Sequence, residues 1–291
     1  MLRNSALILL LASAAGASTG TADALLLVSQ GFASQMRLGS ASWAVGEGAW
    51  AVTANPSLTA PGFHGAGGRW NLEATTVSVA GGFGAGGGFL AGGALRFLGM
   101  GGLIARDETG QATGEYTWSS GALTAGGSFA LSPSVRLGAS LGPVWESAGS
   151  DGASGFSASA GACFRPSEGV LLGAALHNAG FAPSWDGIHK DMPTEVSAGV
   201  SVTLPAGLRA VAGGVYGFST SARASLAGEF SRSGLSISAG YELTPDSPEM
   251  NGAFGGVEYR FVEQGTYGAS LAFRQSRDLS WPMLAGLSIE F

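Results

Sequence analysis

From about residue 74 to the carboxy terminus, apolar residues alternate with small or polar ones at a period of two. Leu235, Ile237, Ala239, Tyr241 and Leu243 are interleaved with Ser236, Ser238, Gly240 and Glu242. Val257, Tyr259 and Phe261 are interleaved with Glu258 and Arg260, and Ala285, Leu287, Ile289 and Phe291 with Gly286, Ser288 and Glu290. Successive side chains of a strand point to opposite faces, so each run predicts a strand with one apolar and one small or polar face. Turn formers separate the runs, as at Ser150-Asp151-Gly152, Leu204-Pro205-Ala206-Gly207 and Pro245-Asp246-Ser247-Pro248. About 14 strands are predicted, near 74–83, 86–97, 98–106, 119–131, 134–147, 152–165, 168–178, 193–204, 207–218, 221–233, 234–244, 251–263, 264–275 and 282–291.

Strand length points to a membrane. A tilted transmembrane strand needs roughly 9–11 residues, whereas a soluble strand usually has about 5–6. The charges then choose the faces. Arg136, Arg165, Arg209, Arg223, Glu229, Glu242, Glu258, Arg260, Arg274 and Glu290 all fall on the small and polar phase. A Lys or Arg on the lipid face costs about 2–4 kcal/mol at the midplane, so the apolar phase is predicted to meet lipid and the charges a lumen. Residues of both signs could pair there. A closed barrel also satisfies every backbone group, as a bilayer demands. A soluble β-sandwich with the faces reversed would instead need a core built from some 14 long strands. Aromatic residues near strand ends (Tyr116, Trp118, Trp145, Tyr216, Phe218, Phe261, Phe273 and Trp281) suit interfacial girdles.

Composition agrees. Of 291 residues, 50 are Gly, against a usual share of about 7%. Charged residues make up 12%, about half the usual fraction, and mean hydropathy is only +0.26. Nucleic-acid binding is excluded by a net charge of −6 and by 14 Lys and Arg scattered without a basic run. The single cysteine, Cys163, precludes an intramolecular disulfide.

The amino terminus reads as a secretory leader. Arg3 is followed by the apolar stretch 6–12, too short to span a bilayer, and Ala22-Asp23-Ala24 forms a small-residue cleavage site. The expected organisation is a leader at 1–24, a distinct segment at 25–62 and the barrel at 63–291. Export and barrel together predict the bacterial outer membrane, with its lipid as the surrounding partner.

Two motifs match chemistry that their surroundings do not support. Residues 82–87 fit G-x-G-x-x-G, but no helix follows to receive a pyrophosphate. Residues 138–142 fit G-x-S-x-G, but Ser140 sits inside an alternating run rather than on a strand-to-helix elbow. His64, His177 and His189 lack the spacing of a metal site. No catalytic residue, metal or cofactor is expected, and the chain is read as non-enzymatic.

The segment Gln35–Ala60 is different in kind. Gly39, Gly46 and Gly48 forbid a long helix, and Trp43, Val45, Trp50 and Val52 could pack a set of short turns. Asn55 before Pro56 fixes a turn. The stretch L-G-S-A-S-W-A-V-G-E-G-A-W-A-V-T-A-N-P-S-L resembles the amino-terminal signature of the PorV/PorQ family, a branch of the FadL-like outer-membrane barrels. Leu176-His177-Asn178-Ala179-Gly180, followed by Met192-Pro193, is a second similarity. The sequence departs at Glu47, where the family pattern has Asp, and at Asn55-Pro56-Ser57-Leu58. The alternating final strand ending in Phe291 resembles the sorting signal read by the barrel assembly machinery.

This resemblance implies an all-β, antiparallel transmembrane barrel of 14 strands with its amino-terminal segment tucked into the lumen as a plug, carrying the motif residues Gly39, Glu47, Asn55 and Pro56. It implies a role in protein secretion or surface attachment, with secretion-system components or exported proteins as partners. The alternative is FadL-like passive transport of hydrophobic small molecules. The polar lumen phase argues against the alternative, which would be favoured by an apolar stripe inside.

Overall fold

The computed structural model describes residues 24–70, 74–106, 109–185, 191–262, 266–275 and 281–291. The leader expected at 1–24 lies, except for Ala24, outside the described residues. The strands are β1 (Gly62–Arg69), β2 (Thr75–Gly86), β3 (Phe89–Arg106), β4 (Ala112–Ala130), β5 (Val135–Ala148), β6 (Asp151–Ser167), β7 (Val170–Phe181), β8 (Glu195–Leu204), β9 (Leu208–Gly217), β10 (Arg223–Arg232), β11 (Leu235–Leu243), β12 (Gly252–Val262), β13 (Thr266–Arg274) and β14 (Met283–Glu290). Each pairs antiparallel with its sequence neighbours, and β1 pairs with β14 to close the barrel. Closure leaves no edge strand, so the hydrogen bonds of the wall are satisfied within it.

The period-two pattern sorts the two faces as the charges require. On β2, Val77 and Val79 are exposed while Thr76 and Ser78 are buried; on β11, Ile237 and Tyr241 are exposed while Ser238 and Glu242 are buried. The apolar exterior carries paired aromatics toward both rims. Phe261 stacks on Tyr267 at 5.4 Å and Phe63 meets Phe291 at 5.8 Å near one rim, while Phe273 stacks on Trp281 at 6.5 Å near the other. Trp118, read from the sequence as a girdle residue, instead packs against an interior cluster that contains Leu98 and Val144.

Connections at the two ends differ in length. At the end where the chain enters β1 and leaves β14, the turns are short, as at 87–88, 168–169 and 233–234. At the other end they extend to 182–194 and 244–251. In outer-membrane barrels short turns are periplasmic and long loops extracellular, and the two ends are named periplasmic and extracellular by that convention.

The strand total matches the sequence estimate by compensation. The expected list omits β1, whose sequence GFHGAGGR contains four glycines that carry no side chain to alternate. The same list divides β3 into 86–97 and 98–106. The structure runs one strand through both, with a register shift between Met100 and Leu103 and Gly102 at φ 68°. A glycine-rich bulge thus imitates a turn in the sequence.

Residues 24–60 occupy the lumen. They form a chain of single helical turns, Leu25–Val28, Ala33–Met36, Gly39–Ala41, Ser42–Val45, Ala49–Thr53 and Pro56–Leu58. Trp43, Val45, Trp50 and Val52 are all buried. No helix among the described residues is long and apolar enough to cross a membrane, which says nothing against crossing by strands.

Candidate functional site: the plug and the lumen wall

Small residues let the plug approach the wall. A Cβ on Gly161 would lie 2.0 Å from Asn55 Oδ1, one on Gly138 2.4 Å from the Pro56 carbonyl carbon, and one on Gly173 2.0 Å from the Ala44 oxygen. These glycines of β5, β6 and β7 form a cradle for the Asn55-Pro56 turn. Asn55 is fully buried. Its Nδ2 donates to Ala44 O at 2.8 Å and reaches Ala162 O at 3.3 Å, while its Oδ1 accepts from Ser57 N at 3.1 Å and Ser57 Oγ at 2.6 Å. Pro56 begins the next helical turn, where its missing N–H costs nothing. Beneath this turn, Cys163 is buried with its Sγ 4.0 Å from Ser57 O.

Charge fixes the other side of the plug. Arg37 pairs with Glu229 of β10 and, at 2.8 Å, with Glu258 of β12. Gly39, at φ 60°, turns the chain so that Ser40 N donates to Glu242 Oε2 at 2.6 Å and Ala41 N to Ser225 Oγ at 2.8 Å. A side chain on Gly39 would meet the Phe254 ring at 2.5 Å. Glu242 also takes Arg274 at 2.6 Å, and Glu258 takes Arg260, which reaches Glu290 at 3.6 Å. Farther up, Arg223 pairs with Glu195 at 2.8 Å, and the Thr220 hydroxyl donates to the same carboxylate at 2.6 Å. Glu47, at the periplasmic face, pairs with Arg165.

Two of the expected lumen charges have no carboxylate partner among the described residues. Arg136 donates to Ser128 Oγ at 3.2 Å and Arg209 to Ser201 Oγ at 2.7 Å. Glu229 and Arg209 face each other across β9 and β10, yet Glu229 binds Arg37 of the plug. A periplasmic cavity of about 650 Å³ lies among these groups, lined in part by Arg37, Trp50, His64, Arg209, Glu229 and Arg260. Phe291 stands at its edge, outside β14 and exposed.

Sequence reading missed several of the residues that hold the plug. Arg37 is the sole cation of segment 25–60, a signal that could have marked it, since inward acids need a counter-ion. Arg96, on the inward phase of β3, donates through one guanidinium nitrogen to Leu26 O at 2.8 Å and also binds Ser29 O. His177 is buried edge-on to Trp43 at 5.3 Å and shares a 2.7 Å hydrogen bond with Ser197, so it supports the plug. His189 lies outside the described residues. No cluster of metal-ligating side chains occurs among the described residues.

The long-loop end of the lumen holds an apolar patch that the Ser, Gly, Arg and Glu of the lumen phase did not announce. Leu98 of β3, Ala122 of β4, Val144 of β5 and Met192 of the long connection before β8 form a buried cluster around Leu26 and Leu27. Trp70, Met100 and Trp118 pack against it. This apolar patch, the collar, lines the β3–β5 side of the long-loop end, and the buried pairs Arg223–Glu195 and Arg274–Glu242 line the β8–β13 side of the same end.

No protein-family model matches the chain, and no curated protein matches it. Solved structures do. The toluene transporter TodX of Pseudomonas putida covers 90% of this chain and 99% of its own, at 14% identity and a TM-score of 0.62. A TodX variant described as a monoaromatic hydrocarbon channel covers 89% and 98%, at 14% identity and 0.63. The toluene transporter TbuX of Ralstonia pickettii covers 88% and 98%, at 12% identity and 0.59. The chain shares with these transporters and channels the fold of a closed antiparallel barrel. None of them adds to the resemblance to the PorV/PorQ branch or to a secretion role.

Proposed function

We propose that the chain is a passive outer-membrane channel for small hydrophobic molecules, delivered there after removal of the leader at 1–24. The apolar collar carries the reading. It places buried, inward-facing apolar side chains at the extracellular entrance, where a solute leaving water gains about 25 cal/mol per Å² of apolar surface buried. Leu26 and Leu27 fill that space now, so a solute of similar polarity competes with them rather than with water. The structural neighbours, described as monoaromatic hydrocarbon channels and toluene transporters, support the same class of cargo. No observation favours secretion or surface attachment, the first expectation from the sequence; its partners would have to bind the extracellular loops, and nothing in the collar serves them.

The test is uptake of radiolabelled toluene by cells that lack their own hydrocarbon channels and express this chain. Uptake should rise severalfold over vector. Val144→Asn and Leu98→Asn, which make the collar polar, should each remove most of that gain while the barrel still shows its heat-dependent gel shift. Uptake equal to vector, or unaffected by both substitutions, overturns the proposal.

A further inference from the structure

The outer wall bears a second feature, unrelated to the lumen. On the outward phases of β12, β13, β14, β1 and β2 the described residues carry one charged side chain, Arg69. It stands at the extracellular end of β1, is exposed, and has no carboxylate partner among the described residues. Arginine on a lipid face is expensive at midplane and nearly free at the interface, so Arg69 occupies the level of the headgroups.

A groove opens beside it. In the tier below Arg69, Gly67 lies opposite Ala285, and Ala285 opposite Leu271. Two small residues side by side leave a depression in an otherwise bulky apolar wall. Leu271, Met283 and Trp281, each about half exposed, form its sides. Arg69 pairs in register with Met283 and lines the same space, whose volume is about 410 Å³. At roughly 30 Å³ for a water-sized group, this accommodates about a dozen methylenes, one acyl chain.

We infer that this groove is a lipid-binding site that seats one acyl chain of an outer-leaflet lipid with its phosphate on Arg69. Charge complementarity selects the headgroup: the guanidinium offers planar, paired donors that match phosphate oxygens, and no carboxylate among the described residues neutralises it. Orientation selects the source. The groove opens at the end with the long loops, which faces the cell exterior, where the phosphorylated acyl lipid is the lipid A part of lipopolysaccharide. Trp281, stacked on Phe273, covers the boundary between chain and headgroup, the level that amphipathic rings prefer.

Native mass spectrometry of the delipidated full chain in detergent, titrated with diphosphoryl lipid A, tests the site. Wild type should bind one lipid A in preference to dephosphorylated lipid A and to phosphatidylglycerol. Arg69→Gln should weaken binding roughly tenfold, the loss expected of one charge-assisted contact. Gly67→Leu should weaken it severalfold with Arg69 intact. A Cβ at Gly67 meets its nearest atom, Thr76 O, at 3.5 Å, so the wall tolerates the change while the groove fills. Equal binding by wild type and both variants overturns the inference. So does indifference to the phosphates, and so does a preference for phosphatidylglycerol, which would assign the groove to a phospholipid.

Discussion

A single cation, Arg37, ties the plug to two strands of the wall. Its partners Glu229 and Glu258 are buried, as Arg37 is itself. Removing one member of a buried pair costs about 3–5 kcal/mol because the remaining charge stays desolvated. Here the loss should fall near the lower figure. Glu258 keeps Arg260, and Glu229 sits in register with Arg209, which now holds only Ser201 and can turn toward it. The lone cysteine supplies a readout, since Cys163 is buried under Ser57 and becomes accessible only when the plug lifts. With Arg37→Met, the folded protein should react with a maleimide at Cys163 roughly a hundredfold faster than wild type, about 3 kcal/mol at 1.4 kcal/mol per decade. An unchanged rate would mean that the ion pairs do not anchor the plug. Strand phase does not reveal Arg37, which stands outside the alternating strands and reaches the lumen from another segment.

At the level of elements, the wall was legible and its exceptions were not. Strands β11 to β14 announce both faces, because most outward positions are Leu, Ile, Val, Tyr or Phe. Strand β1 does not, since glycine has no face to declare, and its glycines answer to backbone approach instead: a Cβ on Gly68 would fall 2.0 Å from Met283 O. The collar was illegible for a different reason. Leu98, Ala122 and Val144 each come from a separate strand and look, one at a time, like isolated breaks in a polar phase. Only the register of β3 on β4 and of β4 on β5 makes them neighbours. The Asn55-Pro56 turn was legible as a turn, but the reason for its composition lies 100 residues away in the glycine cradle. Gly161→Val tests that cradle. Valine suits a strand better than glycine does, so β6 itself should not suffer. The added carbon atoms would occupy the position of Asn55 Oδ1. The barrel should therefore fold with its usual heat-dependent gel shift, while Cys163 becomes reactive. Protection of Cys163 equal to wild type would show that the turn can shift without leaving the wall.

For the whole molecule, the question is which structure depends on which. The wall closes through strand pairing alone, and its outward apolar face is stabilised by lipid, so neither term involves residues 24–60. The plug has no such independence. Its helical turns are of three to five residues, far below the length at which a helix persists alone in water, and its buried side chains pack against β-strands. The plug should thus be a passenger of the barrel. Deleting residues 25–60 after the leader leaves Glu229, Glu242 and Glu258 without plug partners, but it also opens the lumen to water, where charged groups are solvated rather than stranded. The deletion variant should insert and keep its gel shift. In planar bilayers it should conduct ions steadily, through a pore whose walls are the Ser, Gly, Arg and Glu of the inward phase, where the intact chain stays closed apart from brief openings. It should also lose selective uptake of toluene, because the collar would no longer be backed by Leu26 and Leu27 and water would fill it. Steady conductance by the intact chain, or a closed deletion variant, would separate the segment from gating altogether. A closed deletion variant would mean that the barrel is sealed by something other than the residues that now fill it.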